Sequence, residues 1–428
     1  MVYHISKAVV LMKTNKFQGA VKMVSDIIQD YIYKCQARQQ PTYFSRESGK
    51  IGFTNMIAIT LNFLAKSTQT ELNKFFEHVL KKTETVTKQA YADARTKLKV
   101  DAFKILFDKT AEYACDPSGM NTFKGYRVLP VDGSELSLED TYSLRGYFGV
   151  RNDCATARIS VLCDVLNKGL ILDARIGKLS IGERELALCH INRIKELQIE
   201  NPLPVFDRGY ASAELIDELL GGDTTFLFRL QRSFNAQIDR MPLGDHVKDV
   251  EIKGRAFRLR VLKFQLSSGE IETLITNLPK KTITTADLNA LYSLRWGVET
   301  AYRVIKGALQ IENFSGTSQL IVEQDFYATM FLKNMVAFAK IDADEIVEQN
   351  QNPNNRYSYK TNENQLIGIL KDKLVIALLE PRPRAQARKV NAIIAQAARY
   401  TVPIRPDRHF PRLRKHSKRF HSSGKSVL

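Results

Sequence analysis

Tyr126-Arg-Val-Leu-Pro-Val-Asp132, then Ala157-Arg-Ile-Ser-Val-Leu-Cys-Asp-Val-Leu166, then Leu170-Ile-Leu-Asp-Ala-Arg-Ile-Gly177 are the segments on which the fold turns. Each is rich in β-branched and aliphatic residues and reads as a strand. Asn167-Lys168-Gly169, between the second and third, reads as a tight hairpin turn. Downstream, Glu183 to Leu197 has helical spacing, and Pro204 to Phe206 is a short strand ending at Asp207. Ala213 to Leu220 is a helix stopped by Gly221-Gly222, and Thr224 to Leu230 is a further strand.

Three strands, helix, strand, helix, strand is a ribonuclease-H-like order, so residues 121–231 are expected to form the first part of an α/β core. Residues 232–283 lose the helical period. There Phe257 to Leu266 and Glu270 to Thr276 flank Ser267-Ser268-Gly269, which predicts a β-rich insertion. Thr284 with Asp287 three residues on forms a capping box for a helix running to about Leu309. Helices are expected to continue through Lys340, with a polar loop over Gln349 to Asn364, so residues 284–380 complete the core.

Residues 1–120 carry helical spacing throughout and are expected to form a helical N-terminal DNA-binding domain. Leu72, Phe75, Phe76, Val79 and Leu80 share one face, and a second short helix runs from Thr87 to Leu98. As a helix-turn-helix, this pair would offer Lys88, Gln89, Arg95 and Lys97 to DNA. Charged outer faces also belong to ordinary helical hairpins.

The chain has 428 residues, 44% apolar and 25% charged, which excludes bulk disorder. Its 63 Lys and Arg against 46 Asp and Glu give a net charge of +17, which favours a polyanionic partner. Much of the excess lies in residues 381–428, a basic tail interrupted by Pro383, Pro403, Pro406 and Pro411 in which Asp407 is the single acid. Arg405 through Lys425 read as a phosphate-binding arm, without stable core packing beyond Pro403. Ile51 to Ala65 is too polar and short to cross a bilayer, and the first twenty residues lack a secretory pattern. A cytoplasmic protein without a membrane partner is expected. Five scattered cysteines without a CxxC pair signal neither a disulfide framework nor a zinc site.

Chemistry concentrates in Tyr292-Ser-Leu-Arg295-Trp-Gly-Val-Glu299-Thr-Ala-Tyr-Arg-Val-Ile-Lys306. At about 100° per residue, Tyr292, Arg295, Glu299 and Lys306 fall within an arc of about 60° on one helix. Leu291, Leu294, Val298, Ala301 and Ile305 form an apolar strip about 100° away. The charged strip therefore borders the core, where a carboxylate needs a cation or metal beside it. Arg295 and Glu299 could form only an ordinary i,i+4 pair. Two further carboxylates, Asp132 and Asp207, close apolar strands that a sheet could bring to Glu299.

With these residues in view, the chain resembles the DDE transposases of bacterial insertion sequences, IS-four type. The spacing Tyr, two residues, Arg, three residues, Glu, six residues, Lys is reproduced by Tyr292, Arg295, Glu299 and Lys306. Val131-Asp132-Gly133-Ser134 is similar to the first-aspartate block of that family, and Asp207-Arg208-Gly209-Tyr210 to the second. The resemblance implies a ribonuclease-H-like catalytic core in which Asp132, Asp207 and Glu299 are catalytic and hold two Mg²⁺, with Mn²⁺ able to substitute. It implies that Tyr292, Arg295 and Lys306 grip DNA phosphates near the scissile bond. Trp296, about 60° beyond Glu299 on the wheel, could stack on an unpaired base, and Ser134 and Arg208 could orient ligands. The implied activity is cleavage at element ends and strand transfer into target DNA. The partners would be terminal inverted repeats, target DNA and a second copy of the chain, in a nucleoid-associated setting. A non-catalytic DNA-binding protein with this fold, or a simple metal-dependent nuclease, are the alternatives.

Overall fold

A computed structural model describes residues 15–45, 51–62, 67–116, 118–266 and 268–405. The first third is helical: α1 (Lys16–Gln29), α2 (Tyr31–Ala37), α3 (Phe53–Thr60), α4 (Thr68–Lys74), α5 (Lys88–Arg95) and α6 (Asp101–Tyr113). Strand β1 (Arg127–Ser137) follows, then α7 (Tyr142–Phe148), β2 (Val150–Arg151), β3 (Cys154–Asp164), β4 (Leu170–Lys178), α8 (Glu183–Glu196), β5 (Pro202–Phe206), α9 (Ala213–Gly221) and β6 (Leu227–Arg229). A short α10 (Ala236–Asp239) precedes β7 (Gly244–Ile252), β8 (Arg255–Gln265) and β9 (Ile271–Thr276). The chain continues through α11 (Thr285–Leu294), α12 (Trp296–Arg303), the long α13 (Gln319–Gln349), β10 (Tyr359–Thr361), α14 (Glu363–Leu370), α15 (Lys373–Leu378), α16 (Pro383–Ala397) and β11 (Thr401–Pro403).

The central sheet is mixed and runs β2-β3-β1-β5-β6-β9-β8-β7, with β4 paired to β3. β1 is antiparallel to β3 and parallel to β5, and β5 is parallel to β6. Residues 232–283 do not hang from the sheet as a separate body: β9 pairs with β6 and carries β8 and β7 outward as a continuation of the same sheet. Side-chain alternation along the strands feeds two cores, one on each face. Leu129, Val131 and Phe206 face one; Val128, Leu203 and Val205 face the other, which α11 covers with Leu288, Leu291 and Tyr292.

The N-terminal helices pack on this body instead of standing apart. Asn15 caps α1 by accepting from the Gln18 N–H, and Phe17, Val21, Val24 and Ile28 are buried on one face. Both α1 and α6 lie against α13, whose Phe326, Phe331, Met335 and Phe338 belong to the same core as theirs.

Four expectations are corrected. Arg95 does not face outward to DNA: it is 1% exposed, pairs with Asp325 at 2.9 Å and donates to Gln324 Oε1 at 3.1 Å, because the face of α5 that carries Tyr91 also carries Arg95 and turns it toward α13. The helix from Thr284 keeps its capping box but is not continuous to Leu309. At Arg295 the Arg295 N–H bonds to Tyr292 O and the Val298 N–H to Arg295 O, a tight three-residue turn that divides α11 from α12, and Val304–Ala308 closes in a π-helical turn. Residues 381–428 are not all tail, since Pro383 starts α16, where its fixed φ suits the first turn. Val390, Ile393 and Ile394 are buried there, and β11 pairs with β10, a strand within the expected loop. Residues 406–428, most of the expected phosphate-binding arm, lie outside the described residues, as do residues 1–14, most of the first twenty, and Ser267 of the expected hairpin turn.

Candidate active site

Register places the first two carboxylates. Pro130 of β1 stands opposite Val205 of β5. Two residues further on, Asp207 follows the last residue of β5, whereas Asp132 is not at a strand end as expected. β1 parts from β5 after Pro130 but runs on to Ser137 against β3, so Asp132 lies within the strand where the parallel pairing stops, beside the end where open α/β sheets bind ligands. Glu299 arrives from α12, which packs on β1. A β-carbon at Gly297 would lie 2.7 Å from Val165 Cγ1, so a side chain there would push α12 off the sheet.

One guanidinium ties Asp207 and Glu299 together. Arg295 Nη2 lies 3.8 Å from Asp207 Oδ2 and 3.5 Å from Glu299 Oε1, so these carboxylates are no further apart than the two distances laid end to end. Asp132 is held at about 6 against an ordinary 3.8, chiefly by burial, which raises it. Arg295 and the Gly133 N–H work against that, while the charges of Glu299 and Asp207 add to it. Burial also pushes Asp207 upward, but the Arg208 N–H, Arg295, the Tyr292 hydroxyl and Arg229 together outweigh it and leave its carboxyl lowered. Tyr292 donates to Asp207 Oδ1 at 3.0 Å. Burial, with the Asp207 charge beside it, raises the Tyr292 hydroxyl to about 12.

Four residues of the charged strip thus converge less uniformly than a helical wheel suggests. Tyr292 and Arg295 turn inward, Arg295 being 3% exposed. Lys306 donates to the Glu135 carbonyl of β1 at 2.5 Å and stands 3.9 Å from Glu312, so its ammonium rests on the strand that carries Asp132. Trp296 is 47% exposed, with the Arg295 guanidinium 4.8 Å from its ring centroid.

Several contributors carry no short-range sequence signal. Arg229 of β6 pairs with Glu272 of β9 at 2.6 Å and lies over the Tyr292 ring, so the insertion supplies part of the wall beside Asp207. Tyr302 donates to the Asp132 carbonyl at 2.8 Å. Behind β1, His190 bridges Asp173 at 2.8 Å and Ser160 Oγ at 2.9 Å, and Ser160 reaches the Asp132 carbonyl at 3.3 Å. All three are buried, so this chain braces β1 from within. The partners come from β3, β4 and α8, and only the fold assembles them.

Oxygen donors of this kind suit a hard divalent cation, and the mutual repulsion felt by Asp132 is what such a cation would relieve. As placed, no three His, Cys, Asp or Glu side chains among the described residues are grouped closely enough to hold an ion. Arg295 stands between two of the carboxylates instead.

Residues 123–335, which include Asp132, Asp207, Glu299 and Lys306, match the family profile described as Transposase DDE domain. Over 277 residues the chain is 24% identical to "Transposase InsG for insertion sequence element IS4" of Escherichia coli (strain K12), covering 60% of this chain and 62% of that protein. The match therefore spans less than two thirds of the relative's length. Among solved structures, the cryo-EM structure of the piggyBac transposase synaptic complex with hairpin DNA aligns with a TM-score of 0.46 and 11% identity, over 89% of this chain and 83% of that one.

Proposed function

We propose, from the premise that this chain belongs to the DDE transposases of IS4 type, that it cuts DNA at the ends of an insertion sequence and joins those ends to target DNA. Asp132, Asp207 and Glu299 are the catalytic carboxylates. The observation that carries this is the single Arg295 guanidinium shared by Asp207 and Glu299, with Asp132 raised in part by both. The order β3-β1-β5-β6 around them, with α8 and α9 as crossovers, supports a ribonuclease-H-like core.

The three carboxylates would hold divalent cations, Mg²⁺ or in its place Mn²⁺, which when bound lower the cost of deprotonating an attacking oxygen and offset charge on the leaving one. Held at about 6, Asp132 is ionised at neutral pH and available as a donor. Displaced from its carboxylates, Arg295 has a planar fork to offer a phosphate near the scissile bond. Tyr292 keeps Asp207 oriented through its hydroxyl and presents that group to the DNA backbone. Lys306 anchors α12 to β1 and adds positive charge on the approach, and the exposed face of Trp296 is open to an unpaired base. The hydroxyl exposed by the first cut serves as nucleophile in the second step, so one set of residues acts twice.

The partners are double-stranded DNA bearing the terminal inverted repeats, target DNA, and a second copy of the chain, since two ends must be joined in one event. The α4–α5 region, with Lys88, Gln89 and Lys97 outward, is the proposed end-reading element. No described helix is long and apolar enough to cross a membrane, and the proposed setting is the bacterial nucleoid. The test is a supercoiled plasmid carrying the element's ends, with Mg²⁺. Cleavage and joining by the native chain, and neither by Asp132→Asn, Asp207→Asn or Glu299→Gln, is the expected result. Undiminished cleavage by these variants would remove the assignment, and cutting without joining would make the protein a nuclease.

A further inference from the structure

Glu183, in the first turn of α8, is a carboxylate that the strand-end pattern does not single out. Its place is set by two glycines. A β-carbon at Gly133 would stand 3.2 Å from Glu183 Oε1, and one at Gly209 would stand 3.8 Å from Oε2. Gly133 directly follows Asp132, and Gly209 lies two residues after Asp207. The Glu183 carboxylate therefore sits against both aspartate turns at once, in room that the missing side chain at Gly133 leaves open.

Its present cation is a loose one. Arg158 Nη1 stands 3.5 Å from Glu183, while Arg158 Nη2 stands 3.7 Å from Glu135, so one guanidinium again serves two carboxylates at long range. The positive end of α8 adds a modest attraction. A second observation comes from Tyr210, which is 2% exposed. Its hydroxyl is buried without a hydrogen bond of good geometry and lies within the fields of Asp132, Glu183 and Asp207. Ser160 beside it offers a weak partner, and a buried, poorly satisfied hydroxyl in the fields of three carboxylates marks a place where a further polar species belongs. Tyr302 lies in the fields of Asp132 and Glu183 as well.

We propose that Glu183 is a fourth carboxylate of the divalent-cation site, joined to Asp132, Asp207 and Glu299, so that β1, the end of β5 and two helices share the ions. The inference rests on the transposase site described above. With such an ion bound, Glu183 would part from Arg158, and Asp207 and Glu299 from Arg295. Arg158 and Arg295 are then the counter-charges that keep the ion-free site from flying apart.

The test is Mn²⁺ binding to the full chain without DNA, followed by the electron paramagnetic resonance signal of the free ion, with melting curves in chelator to confirm folding. Glu183→Gln should weaken Mn²⁺ binding by about 10- to 100-fold, and Glu183→Asp by less. Arg158→Gln, which releases Glu183, should bind Mn²⁺ as tightly as the native chain or more so. If Glu183→Gln does not fold, Glu183→Asp and Arg158→Gln decide the matter. Native affinity in Glu183→Gln, or in Glu183→Asp where that decides, alongside lost affinity in Asp132→Asn overturns this inference alone. Native affinity in both Asp132→Asn and the deciding Glu183 variant overturns the cation site as a whole, and so does a native chain that binds no Mn²⁺. An Arg158→Gln variant that loses as much affinity as Glu183→Gln would show that Glu183 serves the arginine, and would also overturn the inference.

Discussion

On one side of α12, Asp207 and Glu299 share the Arg295 guanidinium at 3.8 and 3.5 Å, and Asp132 lies within its field. On the other side Lys168, Lys333, Lys340 and Lys360 line a cleft of about 340 Å³ with Asp344 and Glu363. There the pairs are short: Lys168 to Asp344 is 2.7 Å, and Lys340 to Glu363 is 2.7 Å. Lys333, 1% exposed, donates to the Lys168 carbonyl at 3.2 Å and stands 3.8 Å from Glu363. Burial lowers its ammonium, and Glu363 works against that. In the rear cluster the two carboxylates each have a short lysine partner from the chain itself, with lysines in excess, and the Lys340–Glu363 pair ties α13 to α14. The front cluster shares too little positive charge among too many carboxylates, which is the condition of a site completed from outside.

The largest effect that would break this contrast is on catalysis. Asp207→Asn should reduce plasmid cleavage by about three orders of magnitude or more, a loss of at least about 4 kcal/mol of transition-state stabilisation, with the chain still folded. Comparable cleavage by the variant would make front and rear alike. Next, Glu363→Gln should lower stability to denaturant by about 3–5 kcal/mol, because Lys333 and Lys340 lose their carboxylate in a buried place. Cleavage per folded molecule should not change. A small loss would mean that the rear charges are as loosely held as the front ones.

The front carries a penalty of opposite sign. A carboxyl raised from 3.8 to about 6 by folding gives stability that is fully present below about 3.8 and lost as pH rises through about 6. In chelator at pH 8, Asp132→Asn should therefore be more stable than the native chain by on the order of 2–3 kcal/mol. The advantage should fade when denaturation is repeated at pH 4, and added Mg²⁺ should stabilise only the native chain. Equal stabilities at pH 8 would show that Asp132 is not under strain. The smallest effect is expected from Tyr302→Phe, which deletes the hydroxyl bonded to the Asp132 carbonyl and should cost about 0.5–1.5 kcal/mol of stability. A much larger cost would mean that the carbonyl depends on Tyr302 more than on the His190–Ser160 brace behind it.

Much of the site was legible because its residues lie beside strong local patterns. Asp132 and Asp207 end apolar runs, and Glu299 borders the buried strip of Val298, Ala301 and Ile305. Arg95 misled for a complementary reason: a cation in a short polar helix reads as outward, and only Gln324 and Asp325, more than two hundred residues away, turn it inward. The break at Arg295 was hidden because helical phase survives a single tight turn. Glu183 passed as a first-turn helix acid, a place where carboxylates are common for reasons unrelated to catalysis.

Periodicity and turn chemistry alone determined the strand-rich middle, the helices around it, the capped start of α11 and the carboxylates after apolar runs, though not that β1 continues past Asp132 to Ser137, since those signals act over a few residues. Tertiary structure alone decided that β7–β9 extend the main sheet, that Arg229 and Glu272 wall the site, and that one arginine stands among its acids. Charges brought together from far along a chain are governed by burial and distance, which no local pattern encodes.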